Sequence, residues 1–145
     1  MNATKLLKRD HALVRSLFEA YDGATTATDR DQIMDELRDE IILHSEIEAE
    51  VFYPAVAECG SKEAAILVDE ARIEHERMTG LLEELEMLDS EGADFEAIFL
   101  ALRDAADHHA RGEENGLFDM ARKYLSEELL EELGDEMEFH KGKQL

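Results

Sequence analysis

The sequence predicts an all-α protein, an antiparallel up-down-up-down four-helix bundle with a short fifth helix at its C-terminus. Three observations carry this. The 145 residues include one proline and only 8 glycines, and turn signals fall at wide intervals. Apolar residues recur every three or four positions through four long stretches, the spacing of one helical face. Nowhere do apolar and polar residues alternate over four or more positions between turns, so no strand is expected.

The first helix is expected from about Asn2 to Tyr21, stopping at Asp22-Gly23, where glycine can take the left-handed cap conformation. A loop from Gly23 leads to Thr28, an expected N-cap with Asp31 at capping-box spacing. The second helix then covers 28–59 and ends before Gly60. Pro54 lies inside it and predicts a kink, because proline removes a backbone donor and crowds the preceding turn. Ser61 is the next N-cap, for a third helix over 61–88. After the turn Asp89–Ala93, Asp94 is expected to cap a fourth helix over 94–125. Ser126 opens the short fifth helix, 126–142, which Gly134 should break or weaken. All of this reads as a single domain over 1–145, large enough to bury a core.

Hydrophobic residues make up 44% of the chain and charged residues 36%, a balance that suits a soluble globular protein. No apolar run approaches the roughly 20 residues that span a bilayer. The N-terminal MNATKLLKRDHALV lacks an apolar segment followed by a cleavage site, so a cytoplasmic location is the expectation. The single cysteine, Cys59, excludes an intramolecular disulfide and a thiolate cluster, and reads as a small residue near a helix end. With 37 acidic and 15 basic residues the formal charge is -22. Such a surface repels phosphate backbones and anionic lipid, which argues against nucleic-acid and membrane binding.

Polar residues interrupt the apolar stripes in a pattern. His11 sits among Leu7, Val14 and Phe18; His44 and Glu48 among Leu37, Ile41 and Val51; His75 among Ala71, Met78 and Leu82; His109 and Glu113 among Leu102, Ala105 and Met120. A lone histidine on an apolar face is ordinarily a satisfied core residue. Two glutamates there are different, since an ionised carboxylate without a partner costs several kcal/mol to bury. No lysine or arginine shares the stripes at this level, so metal cations are the expected compensation. Residues four apart lie about 40° apart around a helix, so His44 with Glu48, and His109 with Glu113, can reach one centre. His108 points elsewhere and reads as a surface or second-layer residue; His140 reads as solvated surface.

The halves of the chain repeat each other. HSEIEAEVFYP and HARGEENGLFD begin 65 residues apart, at His44 and His109, and share a histidine, a glutamate four later and an apolar-aromatic pair after that. His11 and His75 lie 64 apart in DHALVRSLF and EHERMTGLL. Each half therefore gives one His and one His-x-x-x-Glu, and a pseudo-twofold bundle would bring them together. Counted from the helix ends, His44, His75 and His109 sit level, while His11 fits less well.

At these residues the chain resembles the hemerythrin-like HHE cation-binding family, over essentially its whole length including SEELLEELGDEME. The resemblance implies a non-haem diiron site within the bundle: two iron ions (Fe2+/Fe3+) held by His11, His44, Glu48, His75, His109 and Glu113, the glutamates bridging beside an oxo or hydroxo group. Zinc or manganese suits the same donors. Oxygen-carrying members have a His-x-x-x-His pair on the third helix, whereas Thr79 follows and Ala71 precedes His75 at that spacing. They also carry an aspartate five residues after the fourth-helix histidine, where this chain has Glu113 four after. Four histidines and two carboxylates leave an open position on each metal, closer to the peroxide-handling and iron-repair members than to reversible carriers.

Ferritin-like Glu-x-x-His, zincin His-Glu-x-x-His and EF-hand patterns are absent. Arg15, Arg77 and Tyr53 read as packing or solvent-exposed residues rather than participants. Three functions remain: an enzyme or scavenger acting on peroxide, nitric oxide or oxygen; a module that reversibly binds oxygen or holds and donates iron; and a structural zinc bundle. The expected ligand is a diatomic molecule or peroxide, and nothing identifies a protein partner. Purified protein is expected to carry close to two metal ions, and His44→Ala or Glu113→Ala to reduce that sharply by elemental analysis; unchanged content would remove the site.

Overall fold

The structure, a computed structural model, describes residues 1–143, so the last two residues of the domain expected over 1–145 lie outside the described residues. All its regular elements among those residues are helical. In order they are α1 (Ala3–Gly23), α2 (Ala27–Ile47), a π-helical turn (Glu48–Phe52), α3 (Tyr53–Ala57), α4 (Lys62–Glu86), α5 (Ala93–Gly112), a second π-helical turn (Glu113–Leu117), α6 (Phe118–Tyr124) and α7 (Glu127–Lys143). The first π turn joins α2 to α3 and the second joins α5 to α6, so four rods form the bundle. α1 packs on α2, α4 on α5, and α7 lies against α1 and α2.

Side chains set most of the helix starts. Asn2 accepts the Thr4 N–H at 2.8 Å, Ser61 accepts that of Ala64 at 3.2 Å, and Ser126 accepts that of Leu129 at 3.1 Å. The expected cap at Thr28 is corrected: Thr26, in extended conformation, accepts the Asp29 N–H at 3.1 Å. The spacing of a threonine and an aspartate three later is the same two residues earlier, and the earlier start adds hydrogen bonds to an already nucleated helix. α1 runs through Gly23 rather than ending at Tyr21, and Ala24 closes it in extended conformation, so Gly23 takes no left-handed cap. Gly60 does, with φ 93°. α5 begins at Ala93 with Gly92 as its cap, so Asp94 is not the cap; Asp94 and Glu96 instead face the positive end of the helix dipole in the first turn.

Where a kink is expected from Pro54, the helix carries a widened turn. The Tyr53 N–H reaches the Glu48 carbonyl five residues back, and Pro54 sits in the first turn of α3 where its missing donor is tolerated. Proline is not the cause, because the Phe118 N–H reaches the Glu113 carbonyl in the same way and no proline follows there.

The apolar core is split in two. One cluster joins Leu6, Leu7, Ile47, Phe52, Val56 and Phe118 with Leu130 and Met137 of α7. The other joins Phe18, Leu37, Ile41, Met78, Leu82 and Phe99. At about 1.5–3 kcal/mol for each large side chain removed from water, these clusters hold the four rods together on both sides of the polar layer described below.

α7 is continuous through Gly134, contrary to the break expected there. A Cβ at 134 would overlap the Met1 carbonyl oxygen and lie 3.0 Å from the Ala3 nitrogen, so glycine lets the chain start cross α7 in contact. The α-amino group of Met1 then pairs with Glu131 at 3.3 Å and stands within 4 Å of Asp135 and Glu138. Gly134→Ala would ordinarily gain about 1 kcal/mol of helix propensity. Here it is expected to lower the thermal unfolding midpoint through about 1–3 kcal/mol of overpacking; an unchanged or raised midpoint would refute the close crossing.

Candidate metal centre

Between the two apolar clusters the four rods each turn one histidine inward. His11, His44, His75 and His109 are all buried, as are Glu48 and Glu113. Each of these glutamates is the first residue of a π turn. The extra residue in that turn lets two neighbours face inward together, Phe52 with Tyr53 and Leu117 with Phe118, all four buried. The repeated apolar-aromatic pair was the sequence trace of this widening.

Donor atoms of His11, His44, Glu48, His109 and Glu113 lie within 4.8 Å of one another. Glu48 Oε1 is approached by the Nε2 atoms of His44 at 2.7 Å, His75 at 3.1 Å and His109 at 3.2 Å. Glu113 Oε1 is approached by those of His11 at 3.0 Å and His109 at 3.1 Å. His75 stands apart from the five-residue group yet touches it, its Nε2 being 3.1 Å from His109 Nε2. His11, despite its poorer axial match by count, places its ring centroid 4.9 Å from that of His44.

A layer of carboxylates surrounds the histidines. His44 Nδ1 donates to Asp10 Oδ2 at 3.0 Å, His109 Nδ1 to Glu74 Oε1 at 3.0 Å, and His11 Nδ1 to Glu114 Oε2 at 3.1 Å. With Nδ1 committed outward, each Nε2 is turned to the centre as a potential ligand atom, the usual orienting role of such partners. These carboxylates escaped the sequence reading, although a signal was present: an acid precedes the first histidine of each half, in Asp10-His11 and Glu74-His75. The geometry gives its meaning, since each acid serves the second histidine of its own half. The symmetry then fails, because Glu114 follows Glu113 whereas Ala49 follows Glu48 and offers His75 no such partner.

Further residues complete the surround. Lys141 of α7 binds Asp10 Oδ1, and lies 3.8 Å from Glu40. Arg15 holds Glu114 at 3.0 Å, so it steadies the group that orients His11 rather than only filling surface. Arg77 is exposed. Tyr53 is more than packing: its buried hydroxyl donates to Glu113 Oε2 at 2.7 Å and lies 3.0 Å from His75 Nε2. His108 is exposed with Nε2 3.1 Å from Glu74 Oε2, a second-layer position. His140 is half-buried, 3.6 Å from Glu50, rather than freely solvated.

The cluster fits a cation. Glu48 Oε2 and His44 Nε2 are buried without a hydrogen-bond partner, the close His44–Glu48 approach having the wrong angle for one. No lysine or arginine reaches the two inner carboxylates among the described residues. Without a cation, protons fill the deficit. Burial disfavours a charged His44, yet Glu48 and Asp10 outweigh it and push the imidazole up to about 10. Burial is likewise outweighed at His109, raised chiefly by Glu113, and at Glu48, held well below its ordinary value chiefly by His44. Metal binding would therefore release protons. Burial, then Glu48 and Glu113, push the Tyr53 phenol well above 10, so it is a proton donor in the metal-free chain. A bound cation opposes that shift, which makes Tyr53 a candidate further oxygen donor. Asp10→Asn and Glu74→Gln are each expected to lower metal affinity about 10–100-fold in chelator competition while leaving the helical signal intact; unchanged affinity would deny these carboxylates an orienting role.

Comparison with known proteins identifies the family and the fold. The family model for the hemerythrin HHE cation binding domain matches residues 2–121. An uncharacterised protein of Mycobacterium tuberculosis is 27% identical over 139 residues, 94% of this chain and 83% of that protein. A protein of a Nostoc species described as a DNA nickase is 28% identical over 144 residues, 99% of this chain, but this chain spans only 40% of that protein's length. The crystal structure of a hemerythrin HHE cation binding domain-containing protein from Mycobacterium kansasii matches with a TM-score of 0.82 at 25% identity, covering 99% of this chain and 89% of that one. With its helical bundle and its buried His/Glu cluster able to hold a metal, the chain belongs to the hemerythrin HHE cation-binding domain family.

Proposed function

We propose that the cluster holds two iron ions and that the protein handles peroxide, with oxygen and nitric oxide as related ligands, in an oxidative-stress role in the cytoplasm. His11, His44, His75, His109, Glu48 and Glu113 would hold the irons. The observation that carries the reading is an undersupplied donor set beside an open space. Thr79, four residues after His75, is exposed and gives no further imidazole, and a cavity of about 310 Å³ reaches His11, His44 and His109. When bound, an iron pair supplies one-electron steps and Lewis-acidic positions for small oxygen or nitrogen ligands.

The chain's own residues prepare the site for that use. Asp10, Glu74 and Glu114 fix three imidazoles with Nε2 inward, so little reorganisation accompanies binding. Tyr53 places its hydroxyl 2.7 Å from Glu113 at the buried side of the cluster. No described helix is long and apolar enough to cross a membrane, which is compatible with the proposed location.

Iron-loaded protein is expected to absorb in the near ultraviolet and to consume hydrogen peroxide over many turnovers. A stable oxygen adduct that forms and releases reversibly would favour a carrier, and a colourless protein retaining only zinc would favour a structural bundle.

A further inference from the structure

The cavity beside the cluster is larger than the ligand so far assigned to it. Its volume of about 310 Å³ falls in the range of small-molecule sites, while a water-sized reactant occupies only about 30 Å³. Hydrogen peroxide, oxygen or nitric oxide would leave most of it unfilled. Its lining divides by chemistry. Val14, Phe18, Ile41, Met78 and Ala106 give an apolar wall, and His11, His44 and His109 form the buried end. The donor atoms of these histidines belong to the cluster that would hold the metal, which makes that end of the space polar.

Charged residues at the outer edge narrow the ligand further. Arg15 is occupied by Glu114 at 3.0 Å and lies 3.7 Å from Asp107. Arg103 is paired with Asp22 and lies over the Phe18 ring, 5.6 Å from its centroid. With both guanidiniums engaged and Glu19, Asp104 and Asp107 also lining the space, no unpaired cation is offered to an anionic head group. The ligand that fits is uncharged, compact, mostly apolar and polar at one end.

We propose that this cavity binds the organic part of an alkyl or aryl hydroperoxide, with the hydroperoxide group directed at His11, His44 and His109. The inference deepens the peroxide reading above and rests on it. It makes an organic hydroperoxide, rather than hydrogen peroxide, the ligand for which the space is shaped. Binding to the apolar wall belongs to the chain itself and is readable without turnover.

The test uses cumyl alcohol, a redox-inert analogue of cumene hydroperoxide, titrated into zinc-loaded protein and followed by methyl NMR. Saturable shifts are expected at Val14, Ile41 and Met78, and Ala106→Trp should weaken binding by about tenfold or more by filling the space. Metal content and unfolding midpoint of that variant are measured alongside, and the wild-type shift map stands even if the variant does not fold. In parallel, iron-loaded protein supplied with ascorbate as the two-electron reductant is given cumene hydroperoxide or hydrogen peroxide. Cleaving each O–O bond takes two electrons and two protons, giving cumyl alcohol and water or two waters, and kcat/KM is expected to favour the former by about tenfold or more, as apolar contact can supply. Absence of saturable shifts at these methyls, with hydrogen peroxide still consumed, overturns the cavity assignment and leaves the peroxide reading standing. Alcohol binding with neither peroxide consumed overturns the peroxide reading and the hydroperoxide assignment with it.

Discussion

Glu48 and Glu113 are carboxylates buried from solvent, and among the described residues no lysine or arginine meets them. An uncompensated carboxylate in such surroundings costs several kcal/mol, a large share of the net stability of a domain this size. Much else in the structure follows from offsetting that cost. Four imidazoles surround the pair, and in the metal-free chain two of them hold protons strongly because the carboxylates demand it. A divalent or trivalent cation meets the same demand with more charge and directed bonds. The polar layer and the fold are therefore one problem, solved by letting apolar clusters on either side hold the rods while the middle is left to charge.

The arrangement is a duplicated device that has been made unequal. Both halves contribute an inward histidine preceded by an acid, a second histidine with a glutamate one turn on, and a widened turn that opens at that glutamate. The acids cross over to orient the second histidine of their own half. Only the second half adds Glu114, which orients His11 with the help of Arg15. His75 has no matching carboxylate from position 49, and the Tyr53 hydroxyl meets its Nε2 rather than its Nδ1. That inequality gives the two sides of the cluster different surroundings, and such surroundings are how a protein tunes a bound ion.

α7 lies beyond the segment matched by the family model, yet it is tied to the centre. Leu130 and Met137 close one apolar cluster, Gly134 admits the chain start, and Lys141 grips the carboxylate that orients His44. The helix thus connects the N-terminus, the core and the outer carboxylate layer through contacts that a four-rod bundle alone would not contain.

The helical class, the order of the long helices and the six inner residues were legible in the sequence, because helical periodicity is local and a glutamate on an apolar stripe is conspicuous in any register. Boundaries were less so: Thr26 and Thr28 carry equivalent capping signals, and only the folded helix shows which one holds the extended conformation. The π turns left only the repeated apolar-aromatic pair as a trace, and that pair has a meaning only once the shifted hydrogen bonds are seen. Tyr53, Asp10, Glu74, Glu114 and Lys141 stood in the sequence as ordinary polar residues. Their roles depend on partners 22 to 131 positions away, a separation that no local pattern encodes. The sequence by itself determined that carboxylates and imidazoles would be buried together on four helices. The tertiary structure decided which atoms face the centre, which groups aim them, and that one side opens into a cavity, since each depends on how separate rods meet.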